Sequence, residues 1–117
     1  MERAAKFLAV LVVSSLMMPA AYAHAWLESS VPAQNGALPG SAKEIALTFD
    51  EAIKPVSCKI ADQTGKDMAV IGKLAAKGVN LTVPLTAALA AGKYNLTCRV
   101  VGPDSHPVNN TLSFVVN

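Results

Sequence analysis

Several stretches of this chain alternate apolar and polar residues with a period of two. Ile45, Leu47 and Phe49 share one side of the stretch from Glu44 to Phe49, and Val56, Cys58 and Ile60 do the same further on. Leu81 and Val83 follow, then Tyr94, Leu96, Cys98 and Val100, and finally Leu112, Phe114 and Val116. That period is the mark of a strand with one face buried. Turn-forming groups separate the stretches: Gln34-Asn35-Gly36, Pro39-Gly40, Thr64-Gly65-Lys66, Ala91-Gly92 and Gly102-Pro103-Asp104. Short strands at this spacing, with at most a helical turn near Thr86 to Ala90, predict an all-β antiparallel sandwich.

The amino-terminal end follows another pattern. Arg3 and Lys6 precede an apolar run from Phe7 to Met18, and the small-residue segment Pro19-Ala20-Ala21-Tyr22-Ala23 follows. The order charged, apolar, small is that of a secretory signal peptide. A membrane anchor fits less well, because Phe7 to Ala23 is only 17 residues, interrupted by Ser14, Ser15 and Pro19, where a span needs about 20. Ala21-Tyr22-Ala23 places cleavage after Ala23. The chain is thus read as a signal peptide over 1–23 and a single domain over 24–117, with His24 as the first residue of the exported protein.

Removing 23 of the 117 residues leaves 94 and takes Glu2, Arg3 and Lys6, so eight basic side chains face seven acidic ones. A balance that close to neutral, with no basic tract, gives no reason to expect a nucleic-acid partner. Hydrophobic content of 52% excludes a disordered chain. A domain this small gains from a cross-link. Cys58 and Cys98 stand 40 positions apart on the apolar sides of their strands. A bridge between them in an oxidising compartment adds about 4 kcal/mol by the chain-entropy model; two free thiols are the alternative.

The chain contains two histidines, His24 and His106. A terminal histidine offers its free α-amine and its imidazole Nδ1 to one metal ion as a chelate. In Asp104-Ser105-His106-Pro107 an extended backbone would point Asp104 and His106 to the same side. Together these groups form a set of three nitrogens and one oxygen, which suits Cu(II). Zinc is the rival, although it favours a tetrahedral site and has no special use for an amine. Met68 is the one methionine after residue 23, too few for a Met-rich Cu(I) site. Against a metal stands the ordinary role of Asp-x-His before proline, a turn in which the carboxylate accepts backbone hydrogen bonds. Periodicity does not show that His24 and His106 meet in space.

These residues carry a resemblance. His24-Ala25, Ser29-Ser30-Val31-Pro32-Ala33, Asn35-Gly36, Ile45-Ala46-Leu47-Thr48-Phe49-Asp50-Glu51, Gly92-Lys93-Tyr94, Arg99-Val100-Val101-Gly102-Pro103-Asp104-Ser105-His106-Pro107 and the closing Phe114-Val115-Val116 together resemble the CopC-type periplasmic copper-binding proteins. The resemblance implies an immunoglobulin-like or cupredoxin-like Greek-key sandwich or barrel of about seven strands. It also implies one Cu(II) ion held by His24, Asp104 and His106, with Glu51 as a weaker candidate. Cys98 stands where relatives carry a tryptophan, so the cysteine pair replaces a core aromatic.

The function that follows is that of a non-enzymatic periplasmic protein that sequesters Cu(II) or delivers it to a CopD-like inner-membrane transporter. A mononuclear copper oxidase of the polysaccharide monooxygenase kind also uses a terminal histidine, but Asp104 would fill a position that oxygen chemistry needs open. A metal-free sandwich module is the third reading. Amino-terminal sequencing of the exported protein is expected to begin at His24; any other start removes the amine chelate.

Overall fold

The computed structural model describes residues 25–117. Two sheets, antiparallel but for one short parallel pair, enclose one core. The strands are β1 (Leu27–Val31), β2 (Gly36–Leu38), β3 (Glu44–Phe49), β4 (Lys54–Asp62), β5 (Asp67–Met68), β6 (Ala75–Lys77), β7 (Asn80–Pro84), β8 (Gly92–Val101) and β9 (Pro107–Val116). One sheet has the order β1-β3-β7-β6 and the other β2-β9-β8-β4-β5. The pairs β4–β5, β6–β7 and β8–β9 are hairpins, and every other connection crosses from one sheet to the other. The expected all-β sandwich is found. The described residues form nine strands where the resemblance implies about seven; β2, β5 and β6 have only two or three residues, too short to carry a clear period-two signal.

Alternation becomes burial. Ile45, Leu47 and Phe49 of β3 and Leu81 and Val83 of β7 are buried from one sheet, and Tyr94, Leu96, Cys98 and Val100 of β8 with Leu112, Phe114 and Val116 of β9 meet them from the other. Tyr94 stacks on Phe114 with ring centroids 5.8 Å apart. Its hydroxyl donates to the Ala90 carbonyl at 2.7 Å, so the ring is buried and its polar atom is satisfied. This is the backbone bond of a tyrosine corner, although Tyr94 precedes Cys98 by four residues rather than two.

In two places the sequence expectation is corrected. Val56 was expected on the side of Cys58 and Ile60, yet it is 56% exposed. The β4–β8 register shifts there: Pro55 faces Val100 and Ser57 faces Arg99, leaving Val56 as the extra residue. Such a bulge interrupts the alternation and turns one apolar side chain outward. The helical turn expected near Thr86 to Ala90 is instead an irregular bend. Thr86 donates both its amide (2.7 Å) and its hydroxyl (3.1 Å) to the Val70 carbonyl, and Leu89 inserts into the core.

Cys58 and Cys98 form a disulfide. They face each other directly across β4 and β8, so the bridge ties neighbouring strands of one sheet rather than one sheet to the other. Its two halves differ: Cys98 is fully buried, whereas Cys58 is half-buried.

The first described residues are fastened by a side chain. Asn110 of β9 occupies an inward position and is the one buried polar residue among the described residues. Its Nδ2 donates to the Ala25 carbonyl at 3.0 Å, and its Oδ1 accepts from the Leu27 amide at 2.9 Å. One side chain thus takes the part of a missing strand neighbour, satisfying two backbone groups that burial would otherwise strand. Asn110→Ala is expected to lower stability by about 1–3 kcal/mol, read as a lower urea midpoint at unchanged slope.

Candidate metal centre

The β8–β9 connection is a tight turn built on Gly102, Pro103 and Asp104. Its base is the pair Val101 and Pro107, and the Ser105 amide donates to the Gly102 carbonyl at 3.0 Å. Pro103 presets its own backbone angle for such a turn. Ser105 then takes a left-handed conformation, φ 65°, so the backbone from Asp104 to His106 is not the extended one expected from the sequence.

The two side chains nevertheless converge, for a different reason. Asp104 Oδ1 accepts the His106 amide at 3.0 Å, which folds the carboxylate back over the turn as aspartate often does two residues before its donor. Asp104 Oδ2 then lies 3.4 Å from His106 Nδ1. The Asp104 side chain is 19% exposed and that of His106 71% exposed. The carboxylate is thus fixed against the protein, and the imidazole reaches outward beside it. One hard oxygen and one imidazole nitrogen on a rigid turn make half of a site for a divalent ion such as Cu(II) or zinc.

Other elements gather at the same end. β4 starts opposite the end of β8, Lys54 facing Val101, so the β3–β4 connection carrying Glu51 runs beside the turn. A groove between the two connections is lined by Ala52, Ile53, Val101, Pro103 and Ser105. Glu51 is half-buried but does not line this groove. Among the described residues no group of three or more His, Cys, Asp or Glu converges, so Glu51 does not complete a set with Asp104 and His106.

The first described residues are brought to this end by two hydrogen bonds to Asp50. The Trp26 amide donates to Asp50 Oδ1 at 2.9 Å, and the Asp50 amide donates to the Trp26 carbonyl at 3.0 Å. Trp26 itself lies ahead of β1 and is 53% exposed. From Ala25 onward the chain follows β9 in the same direction. Ala25 and Leu27 are held by Asn110, Gln34 binds Thr111 and Ser113, and β2 pairs in parallel with Phe114 to Val116. His24 lies outside the described residues.

Sequence reasoning missed Asn110 and Asp50. Asn110 had a visible signal: it precedes Leu112, Phe114 and Val116 at the same parity, so a polar residue stood on an apolar face and required a partner. Asp50 had none beyond its place at the end of β3.

The comparisons with known proteins agree with this architecture. The model of the CopC domain matches residues 27–117. The chain belongs to the CopC family. Copper resistance protein C of Xanthomonas campestris pv. juglandis is 34% identical over 116 residues, covering 92% of this chain and 91% of its own length. Two solved structures share the fold. CopC from Methylosinus trichosporium OB3b superposes with a TM-score of 0.67 at 29% identity, covering 80% of this chain and 94% of its own. PcoC of Escherichia coli, described as a methionine-rich copper resistance protein, gives 0.68 at 27% identity, covering 81% and 100%. The family is one of copper resistance proteins rather than enzymes.

The geometry of the turn sets a test of Asp104 as a structural residue. Asp104→Ala removes the acceptor of the His106 amide and is expected to speed its hydrogen exchange, whereas Asp104→Asn keeps a carbonyl oxygen and the protection.

Proposed function

We propose that the exported chain is a periplasmic Cu(II)-binding protein of this family, holding one ion through the α-amine and imidazole of His24, the carboxylate of Asp104 and the imidazole of His106. The observation that carries the reading is the convergence of Asp104 and His106 within 3.4 Å on the β8–β9 turn. Its support from the relatives is their description as copper resistance proteins.

The donor types fit the ion. Two imidazoles, an amine and a carboxylate match the nitrogen-rich tetragonal sites that Cu(II) prefers. Asp104 is held by the His106 amide before any metal arrives, so less ordering is required on binding. Glu51 remains the weaker candidate that the family resemblance implies, and the described residues do not bring it into one group with Asp104 and His106. Cleavage after Ala23 is part of the proposal, because an amide at His24 would not supply the first nitrogen. Sequestration of Cu(II) is the primary role, and passing the ion to a CopD-like inner-membrane transporter is the route by which it would leave.

Electron paramagnetic resonance of Cu(II) added to the chain beginning at His24, and to the same chain with one residue placed before it, tests the reading. A single site with nitrogen hyperfine structure is expected in the first and a weakened or altered site in the second. His106→Ala and Asp104→Asn are each expected to lower affinity about tenfold or more, the latter without loosening the turn. Indifference to the added residue refutes the chelate.

A further inference from the structure

Two residues, one from each sheet, hold the beginning of the described chain. The Ala25 carbonyl and the Leu27 amide are bound by Asn110 of β9, at 3.0 and 2.9 Å. Between them, the Trp26 amide donates to Asp50 Oδ1 at 2.9 Å, and the Trp26 carbonyl accepts from the Asp50 amide at 3.0 Å. Four successive backbone groups, from the Ala25 carbonyl to the Leu27 amide, are thus occupied. The peptide unit joining Ala25 to Trp26 is gripped at both ends, its carbonyl by Asn110 and its amide by Asp50. A plane held at one end can swivel; a plane held at both keeps its orientation.

The part played by Asp50 is the less ordinary of the two. The β1–β3 ladder ends with Leu27 opposite Phe49, and the backbone bends at Asp50 and Glu51. In an antiparallel pair that continued, residues 26 and 50 would exchange two amide-to-carbonyl bonds. Here the Asp50 amide makes one such bond, and the Asp50 carboxylate accepts the Trp26 amide. A side chain thus adds a rung after its strand has turned away. What the rung fixes lies just upstream. Ala25 is fully buried and the peptide unit before it is planar, so the place of the His24 α-amine is left to the φ torsion of Ala25 and the ψ torsion of His24. Without the rung, the ψ torsion of Ala25 and the φ torsion of Trp26 are added to that freedom.

We propose that Asp50 is a positioning residue for the amino-terminal chelate, restricting where the amine and imidazole of His24 can stand by completing the rung at Trp26. The inference rests on the Cu(II) reading given above. Asp50 acts through the backbone and not as a ligand: its Oδ1 is engaged by the Trp26 amide, and among the described residues it belongs to no group of three His, Cys, Asp or Glu. Ordering the chain before the ion arrives reduces the conformational entropy lost on binding. The gain is therefore one of affinity more than of stability. Asp50 is exposed, so its replacement leaves the core packing intact.

The test compares Cu(II) affinity, by competition with a chelator of known affinity, in the chain beginning at His24 and in the same chain with one residue placed before it. Each is made unsubstituted, as Asp50→Ala and as Asp50→Asn, and amide hydrogen exchange at Trp26 is followed without copper. Asp50→Ala is expected to speed exchange at Trp26 and to weaken Cu(II) binding about tenfold in the chain beginning at His24. In the extended chain, where the His24 nitrogen is already an amide, it should cost nothing further. Asp50→Asn keeps an oxygen acceptor and should keep both the slow exchange and the affinity. An equal loss in both chains, no loss in either, unchanged exchange at Trp26, or an Asp50→Asn variant as weak as Asp50→Ala would each overturn the proposal and leave the chelate standing. Indifference of the unsubstituted chain to the added residue overturns the chelate reading, and this proposal with it.

Discussion

The clamp from Asn110 to the backbone of Ala25 and Leu27 is the interaction on which the rest of the working end depends. Ala25 and Leu27 lie where β1 begins, against β3 on one side only. Without a second neighbour, the Ala25 carbonyl and the Leu27 amide would face the core unpaired, at a cost of roughly 1–3 kcal/mol each. A single amide side chain offers one donor and one acceptor in a fixed plane, and here it meets one carbonyl and one amide at 3.0 and 2.9 Å. Because Asn110 belongs to β9, the clamp joins the edge strand of one sheet to a central strand of the other. It also fixes where the chain stands relative to the turn from which β9 starts, four residues earlier.

That placement gives the β8–β9 turn a context that the turn alone lacks. Asp104 holds the turn by accepting the His106 amide through one oxygen, which leaves the second oxygen beside His106 Nδ1. A carboxylate with a purely structural role and one poised to bind a cation look alike in sequence, since both are an aspartate two residues before a backbone donor. In three dimensions they are not exclusive: the same hydrogen bond that shapes the loop orients the remaining oxygen. The left-handed Ser105 is part of this geometry. Non-glycine residues there carry strain of order 1 kcal/mol, which the tight Gly102-to-Ser105 bond and the proline on either side of the motif offset.

Much of the fold was legible because period-two alternation is a direct record of which face is buried. It placed Ile45, Leu47, Phe49, Leu96, Leu112 and Phe114 correctly, all of them in the core. It failed at Val56, since a bulge adds a residue without any local sign in composition, and at β5 and β6, which are shorter than one full alternation. The pairing of Cys58 with Cys98 was readable, but the register that makes them direct neighbours in one sheet required the β4–β8 ladder. At the site, Asp104 and His106 were found by residue type, while the reason for their proximity was misjudged: a turn with a folded-back carboxylate rather than an extended strand end. The clamp is visible in the sequence as a polar residue in an apolar row, Asn110 at the parity of Leu112, Phe114 and Val116, but its partners lie more than 80 residues away and leave no local sign.

The exposed turn and the sulfur pair meet solvent differently. Asp104 and His106 sit on a turn where an imidazole 71% accessible meets solvent. Cysteine sulfur behaves as an apolar group, so Cys98 and half of Cys58 stand in for core side chains without an unpaired charge. The disulfide keeps them in that apolar form. Joining adjacent strands of one sheet, it leaves the contact between the two sheets to side-chain packing and to Asn110. Each sheet therefore keeps its own internal tie, and the loop end is positioned by the one hydrogen-bonding side chain that both layers share.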